Sequence, residues 1–278
     1  MTSNATILIT GATDGHGRAL AEHLAADGAR LLLHGRDQAK LDQSAAEIAE
    51  RHGLDEAPVT VRADFADLAQ VRALAEEIAG LIDRLDVLVN NAGIGFGATD
   101  QRDTSADGYE LRFAVNYLAS FDLTLRLLPL LHDNGDGARI VNVASIGQAP
   151  IDFDDVMLEH GYTGTRAYGQ SKLALITAGF RLAQQLPAEQ VTVNSLHPGT
   201  FMPTKIVREA GQDTVDSLEA GQNATHRLVT DPALDQVTGR FYNRSDVARA
   251  HESAYDAEVQ RRLWQLSLDL TGTPDLTT

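Results

Sequence analysis

The sequence predicts an α/β fold, a doubly wound parallel sheet with helices on both faces. Two observations carry that reading. Apolar runs of strand length alternate with helix-length periodic segments along almost the whole chain. The 278 residues are 43% hydrophobic and 22% charged, enough apolar surface for one large α/β domain.

The elements follow in order. Residues 6–10, Thr-Ile-Leu-Ile-Thr, read as the first strand, and 17–27 as the helix after it. A second strand at 30–33 precedes a helix over 37–52, and a third at 59–61 precedes a helix over 68–82. Residues 86–89 form a fourth strand, followed by a long helix over 105–131 that Pro129 bends or ends. A fifth strand at 139–143, a helix over 167–186, and a sixth strand at 191–195 continue the series. A seventh strand at 239–243 and a terminal helix over 256–270 complete it. No repeat or Pro/Ser-rich linker divides the series, so residues 1–278 read as a single domain. The polar stretch near 202–234 breaks the rhythm and reads as an insertion or lid, and 272–278 as a frayed tail.

Composition excludes several function classes. A formal net charge of −16 repels phosphate backbones and anionic membranes, which argues against nucleic-acid and membrane partners. Zero cysteines exclude disulfides, thiolate metal sites and a thiol nucleophile. The nine histidines lack metal-ligand spacing, so no metal is expected, and no G-x-S-x-G elbow marks a hydrolase. No bilayer-length apolar run and no signal-peptide pattern occur, so a cytoplasmic location is the expectation.

After the first strand comes Thr10-Gly11-Ala12-Thr13-Asp14-Gly15-His16-Gly17, leading into a helix. Glycines there permit a tight turn and a close backbone approach to a pyrophosphate, which the helix N-terminus favours. The spacing is G-x-x-x-G-x-G. Further along stand Asp64-Phe65, Asn90-Asn91-Ala92-Gly93, Asn116, Ser145, Tyr168-Gly169-Gln170-Ser171-Lys172 and His197-Pro198-Gly199-Thr200.

This ordered set resembles the short-chain dehydrogenase/reductase family, which implies a Rossmann-type domain binding a nicotinamide dinucleotide. His16 departs from the aliphatic residue usual in that glycine motif. The 166–175 segment, the long gap from Ser145 to Tyr168, and 263–267 resemble the retinol dehydrogenase-like branch more narrowly. The resemblance implies Gly11, Thr13, Asp14, Gly15, His16, Gly17, Asp64, Phe65, Asn91, Ala92, Gly93, Tyr168, Lys172, Pro198, Gly199 and Thr200 as cofactor residues. Asn116, Ser145, Tyr168 and Lys172 are implied as the catalytic group, with Asn116 positioning a water behind the lysine.

Those residue types suit redox chemistry. Tyr168 and Lys172 lie four apart on a predicted helix, so they share a face. An adjacent ammonium would lower the phenol's pKa and ready it for proton transfer with a carbonyl or alcohol. Ser145 would hydrogen-bond the substrate oxygen. Lys172 is one of only three lysines, and its compact ammonium can also reach a ribose hydroxyl.

Cofactor choice turns on the end of the second strand, where an NAD enzyme needs an acid for the ribose 2′-hydroxyl. By resemblance that position is Gly35, and Arg36 beside it can pair with a 2′-phosphate. Asp14 weighs against this, because the place is often basic in NADP-dependent relatives. NADP is the expectation.

Candidate pocket residues Ile146, Phe153, Met157, Leu158, Phe201, Met202, Ile206 and Val207 are apolar, which suggests a lipophilic carbonyl or alcohol. The same side chains could instead pack the lid. One rival reading is a cofactor-binding regulatory or scaffold protein of the same fold with little turnover. Another is an isomerase or dehydratase. The helices over 105–131 and 167–186 commonly pair subunits in relatives, so a homo-oligomer is a further expectation, with a monomer left open.

Overall fold

A computed structural model describes residues 4–132 and 137–277. Eight strands form one sheet in the order β3-β2-β1-β4-β5-β6-β7-β8. These are β1 (Thr6–Ile9), β2 (Arg30–Gly35), β3 (Val59–Arg62), β4 (Val87–Asn90), β5 (Ala138–Val143), β6 (Val191–His197), β7 (Phe241–Asn243) and β8 (Asp246–Ala248). All neighbours pair in parallel except β7 and β8. β1, β4, β5 and β6 are buried along their whole length, as expected of strands covered on both faces.

Helix α1 (Gly15–Ala26), α2 (Gln38–His52) and α8 (Leu218–Thr230) cover one face. The other carries α3 (Leu68–Leu81), α5 (Ala119–His132), α6 (Gly164–Gln185) and α9 (Ala257–Thr271). Short helices α4 (Leu111–Phe113) and α7 (Lys205–Glu209) complete the set. Caps mark the helix starts: Asp37, Asp67, Thr163 and Ser217 each accept a first-turn backbone N–H.

Register places the ends of the central strands level. Ile9 stands opposite both Leu33 and Val89, and Asn90 opposite Asn142. The loops after β1, β2, β4 and β5 therefore open at one edge, where strand order reverses between β1 and β4. Ligands of open α/β sheets bind at such a switch point.

Four expectations change. The helix expected from 105 starts at Leu111. Gly108 adopts φ +83, and the Ser105 hydroxyl accepts from Asp107 and Tyr109, a local turn that competes with helix. Beyond α4 the chain makes a π turn, Ala114–Leu118, before α5, and Pro129 lies inside that helix without ending it.

The segment 202–234 divides in two. α8 packs on α1 and buries Ala224, Leu228 and Val229, so 218–230 is part of the core layer. Buried Arg139 on β5 secures its end, donating to the Leu228 and Asp231 carbonyls. Only the part around α7 stands beside the strand ends.

β8 was not expected. Its hairpin turn, Arg244-Ser245, lacks the Gly or Asn that advertises a two-residue loop. Arg244 takes φ +56, held by its N–H to the His197 carbonyl and by its ion pair to Asp216 at 2.6 Å. Through residue 277 the tail expected to fray is docked instead, and Thr278 lies outside the described residues: Trp264 donates to Asp275 at 2.9 Å, and buried Thr273 hydrogen-bonds Asp122.

Candidate active site

A cleft of about 1080 Å³ lies along the C-terminal strand ends. The glycine-rich turn forms its floor through Gly11, Thr13, Asp14, Gly15, His16 and Gly17. Gly17 must lack a side chain, because a Cβ there would stand 2.4 Å from both the Gly11 oxygen and Asn91 Nδ2. The turn is tied to the Asn-Asn-Ala-Gly segment. The Thr10 hydroxyl accepts the Asn91 and Ala92 N–H groups, and Asn91 Nδ2 donates to the Thr10 and Gly11 carbonyls. Asn91 is thus a clasp of the turn.

Arg36, Asp64, Phe65, Asn91, Ala92, Gly93, Pro198, Gly199 and Thr200 also line the cleft. Arg36 is exposed. Asp14 accepts from the Gly15 N–H at 2.7 Å and caps α1. Asp64 closes its own loop by accepting the Ala66 N–H. Thr200 is held by Asp216, which accepts its N–H at 2.6 Å.

Two buried histidines support this floor. His34, not singled out from sequence, stacks on Phe65 at 4.3 Å. Its Nδ1 accepts the Gly11 N–H at 3.4 Å, so Nε2 donates to the Ala63 carbonyl at 3.1 Å. Burial pushes its pKa down to about 4. His16 turns towards α8. The Thr225 hydroxyl donates to the Gly221 carbonyl, so it accepts from His16 Nε2 at 2.9 Å. His16 Nδ1 is left without a partner among the described residues. Burial, then the nearby Lys172 charge, push this imidazole to about 4.

Ser145, Tyr168 and Lys172 meet in the same cleft. Ser145 follows β5; Tyr168 and Lys172 project from α6. The Lys172 ammonium lies 5.9 Å from the Tyr168 ring centroid and donates to the Val143 carbonyl at 2.9 Å. Burial brings its pKa down to about 8. Burial raises the Tyr168 pKa above the ordinary phenol value, and a hydrogen bond with Ser145 offsets part of that rise. The expected depression by Lys172 does not appear: with its pKa brought down to about 8, the lysine has lost its charge before the phenol, raised above its ordinary value, gives up its proton.

Asn116 is fully buried behind the cleft, in the π turn. Its Oδ1 accepts the Ile94 N–H at 2.7 Å, and its Nδ2 donates to the Ile94 carbonyl and to Ser171. Ser171 donates onward to the Tyr168 carbonyl. The side chain thereby links the loop after β4 to α6.

Of the eight candidate pocket residues, Ile146, Phe201, Met202, Ile206 and Val207 line the cleft. Phe153, Met157 and Leu158 do not. Leu158 is fully buried, Phe153 packs under Arg262, and Met157 sits on the core. The substrate-side wall uses Ile94, Phe96, Leu111 and Val115 instead, and Thr204 sits against Gly15. Phe96 follows the Asn-Asn-Ala-Gly segment by three positions, the one signal that could have found it.

The cleft has the size, the glycine turn and the exposed Arg36 to fit a dinucleotide with a small substrate beside it.

Known proteins point the same way. The family profile described as short chain dehydrogenase matches residues 5–215. Mouse (Mus musculus) retinol dehydrogenase 14 is 33% identical, over 96% of this chain and 86% of its own length. Mouse polyprenol dehydrogenase is 34% identical, over 95% and 83%. The Pseudomonas aeruginosa RhlG/NADP active-site complex superposes with a TM-score of 0.69 at 28% identity, covering 87% of this chain and 94% of RhlG.

Proposed function

This chain belongs to the short-chain dehydrogenase/reductase family, in its retinol dehydrogenase-like branch, and we propose that it is an NADP-dependent reductase of lipophilic carbonyls. The family makes it an oxidoreductase acting on an alcohol or carbonyl. The observation that carries the finer reading is the convergence of Ser145, Tyr168 and Lys172 on a cleft whose other end holds the glycine turn and Arg36.

The dinucleotide, when bound, supplies the hydride. Gly11, Gly15 and Gly17 would cradle its phosphates, with Asn91 keeping the turn in shape. Lys172 would turn from Val143 to hold the ribose. Tyr168 gives its hydroxyl proton to the carbonyl oxygen as that oxygen gains charge, and Ser145 donates a hydrogen bond to the same atom. Tyr168, raised above the ordinary phenol value by burial, is protonated at neutral pH and so holds the proton that reduction of a carbonyl requires.

NADP is favoured on two grounds. Gly35 ends β2 without an acid, and a Cβ there would stand 2.8 Å from Thr13 Cγ2, so Thr13 would have to shift to admit one. Arg36, exposed on the cleft wall, presents a fork suited to a 2′-phosphate. The carboxylate of Asp14 is occupied at the α1 cap. A lipophilic substrate is favoured by the apolar wall of Ile94, Phe96, Ile146, Phe201 and Ile206.

The test is NADPH and NADH oxidation, followed by absorbance, against a panel of ketones and aldehydes. NADPH is expected to give the higher kcat/KM by about tenfold or more, from one charge-assisted contact. Tyr168→Phe is expected to bind NADPH normally and lose at least about a thousandfold in kcat. NADH preference would reverse the cofactor assignment, and an active Tyr168→Phe would remove the proton-transfer role.

A further inference from the structure

The loop after β4 is held at three consecutive residues by two side chains of the following helical stretch. Asn116 takes both backbone groups of Ile94. Arg112, four residues earlier, takes the next two carbonyls: Nε donates to Gly95 at 2.9 Å and Nη2 to Phe96 at 3.0 Å. Its Nη1 donates to the Tyr162 hydroxyl at 2.5 Å, and buried Glu110 lies 3.6 Å away to balance the charge. The loop wraps the guanidinium closely; a Cβ at Gly97 would stand 2.9 Å from Nη2. What the loop presents to the cleft is Phe96, whose ring meets the edge of Tyr168 at 6.1 Å and 77°. Ile206 of α7 closes on the same loop, leaving no room for a Cβ at Gly95.

We propose that Arg112 is a positioning residue that sets substrate selectivity by fixing Phe96 as the wall beside Tyr168. The inference rests on the redox reading above and names what limits its substrate. A buried arginine costs desolvation, and a hydrophobic residue could fill its space; its planar fork supplies what an apolar side chain cannot, donors for two adjacent carbonyls and a phenol at once. Lysine has no such fork. Arg112 does not itself line the cleft and hydrogen-bonds none of Ser145, Tyr168 and Lys172; it acts through the Gly95 and Phe96 carbonyls of the loop and, by way of Tyr162, the segment that enters α6.

The experiment compares a bicyclic aryl ketone, 2-tetralone, with butan-2-one in wild type, Phe96→Ala, Arg112→Met and the double variant. Kinetics with NADPH are paired with calorimetric binding of 2-tetralone to the NADP-saturated enzyme. Phe96→Ala is expected to weaken 2-tetralone binding and raise its KM by about tenfold, lowering the ratio of kcat/KM for 2-tetralone to that for butan-2-one. Arg112→Met should do the same, and the double variant should be no worse than Phe96→Ala alone, while NADPH affinity stays at the wild-type value in all three. Multiplying effects in the double variant, or an Arg112→Met that keeps wild-type selectivity, would overturn the proposal. Should Arg112→Met not fold, Arg112→Lys keeps the charge but lacks the fork that spans the Gly95 and Phe96 carbonyls; selectivity equal to wild type would then be the overturning result. A wild type that binds 2-tetralone yet oxidises no NADPH defeats the redox reading, and the binding comparison still decides Arg112.

Discussion

Tyr168 and Lys172 share a helix face, with the ammonium on the Val143 carbonyl 5.9 Å from the phenol's ring centroid, and burial moves the two groups apart in acidity, the phenol up and the lysine down. This has a pH consequence. Lys172, with its pKa brought down to about 8, carries its charge below that pH and loses it above. Tyr168, raised above the ordinary phenol value, stays protonated across the same range. The kcat/KM for carbonyl reduction should therefore be level near pH 6–7 and fall up to about tenfold per unit once the pH has risen past about 8. Lys172→Arg keeps a cation at all these pH values, so its residual activity should lack that fall. A wild-type profile flat from pH 7 to 9.5 would remove Lys172 from the mechanism.

At the scale of elements, α8 gives the clearest lesson. Polar residues dominate 202–217, and the eye carries that polarity on to 234, so the whole stretch reads as a lid. In fact 218–230 has a helical stripe of Gly221, Ala224, Thr225, Leu228 and Val229, and its small residues let α1 approach closely. Leu228→Ala should cost about 2–5 kcal/mol in urea unfolding, as a core truncation does. A mobile lid would show almost no loss. The late start of α4 has a similar origin: the periodicity continues upstream to Ser105, but Gly108 and the Ser105 hydroxyl favour a turn. The β7–β8 hairpin escaped because Arg244, a residue that seldom takes positive φ, is held there by Asp216 and His197, far away in sequence.

For the whole molecule, acid is the expected weakness. His16, His34 and His197 are buried and neutral, with pKa values brought down to about 4. Between about pH 6.5 and 4 the unfolded chain takes up protons that the folded chain refuses, so stability falls as pH falls through this window. His16 and His34 should each cost up to about 2 kcal/mol at pH 5. The net charge of −16 works the other way, since carboxylate titration relieves self-repulsion, but that relief comes mainly below about pH 5. The urea midpoint should thus drop between pH 7 and pH 5.5; an unchanged midpoint would mean that the imidazoles gain protons in the folded state.

The sequence by itself determined the alternation of strands and helices, the glycine turn, and the ordered Asn-Asn-Ala-Gly, Ser145 and Tyr-x-x-x-Lys positions. These are legible because backbone periodicity and steric need are local: a strand buried on both faces must be apolar, and Gly17 has no room for a Cβ. Tertiary structure alone decided which apolar side chains wall the cleft, where the Lys172 ammonium rests, and that Arg112 grips the loop bearing Phe96. Burial, electrostatic screening and the partners of a buried cation depend on segments distant along the chain, and no window of sequence carries them.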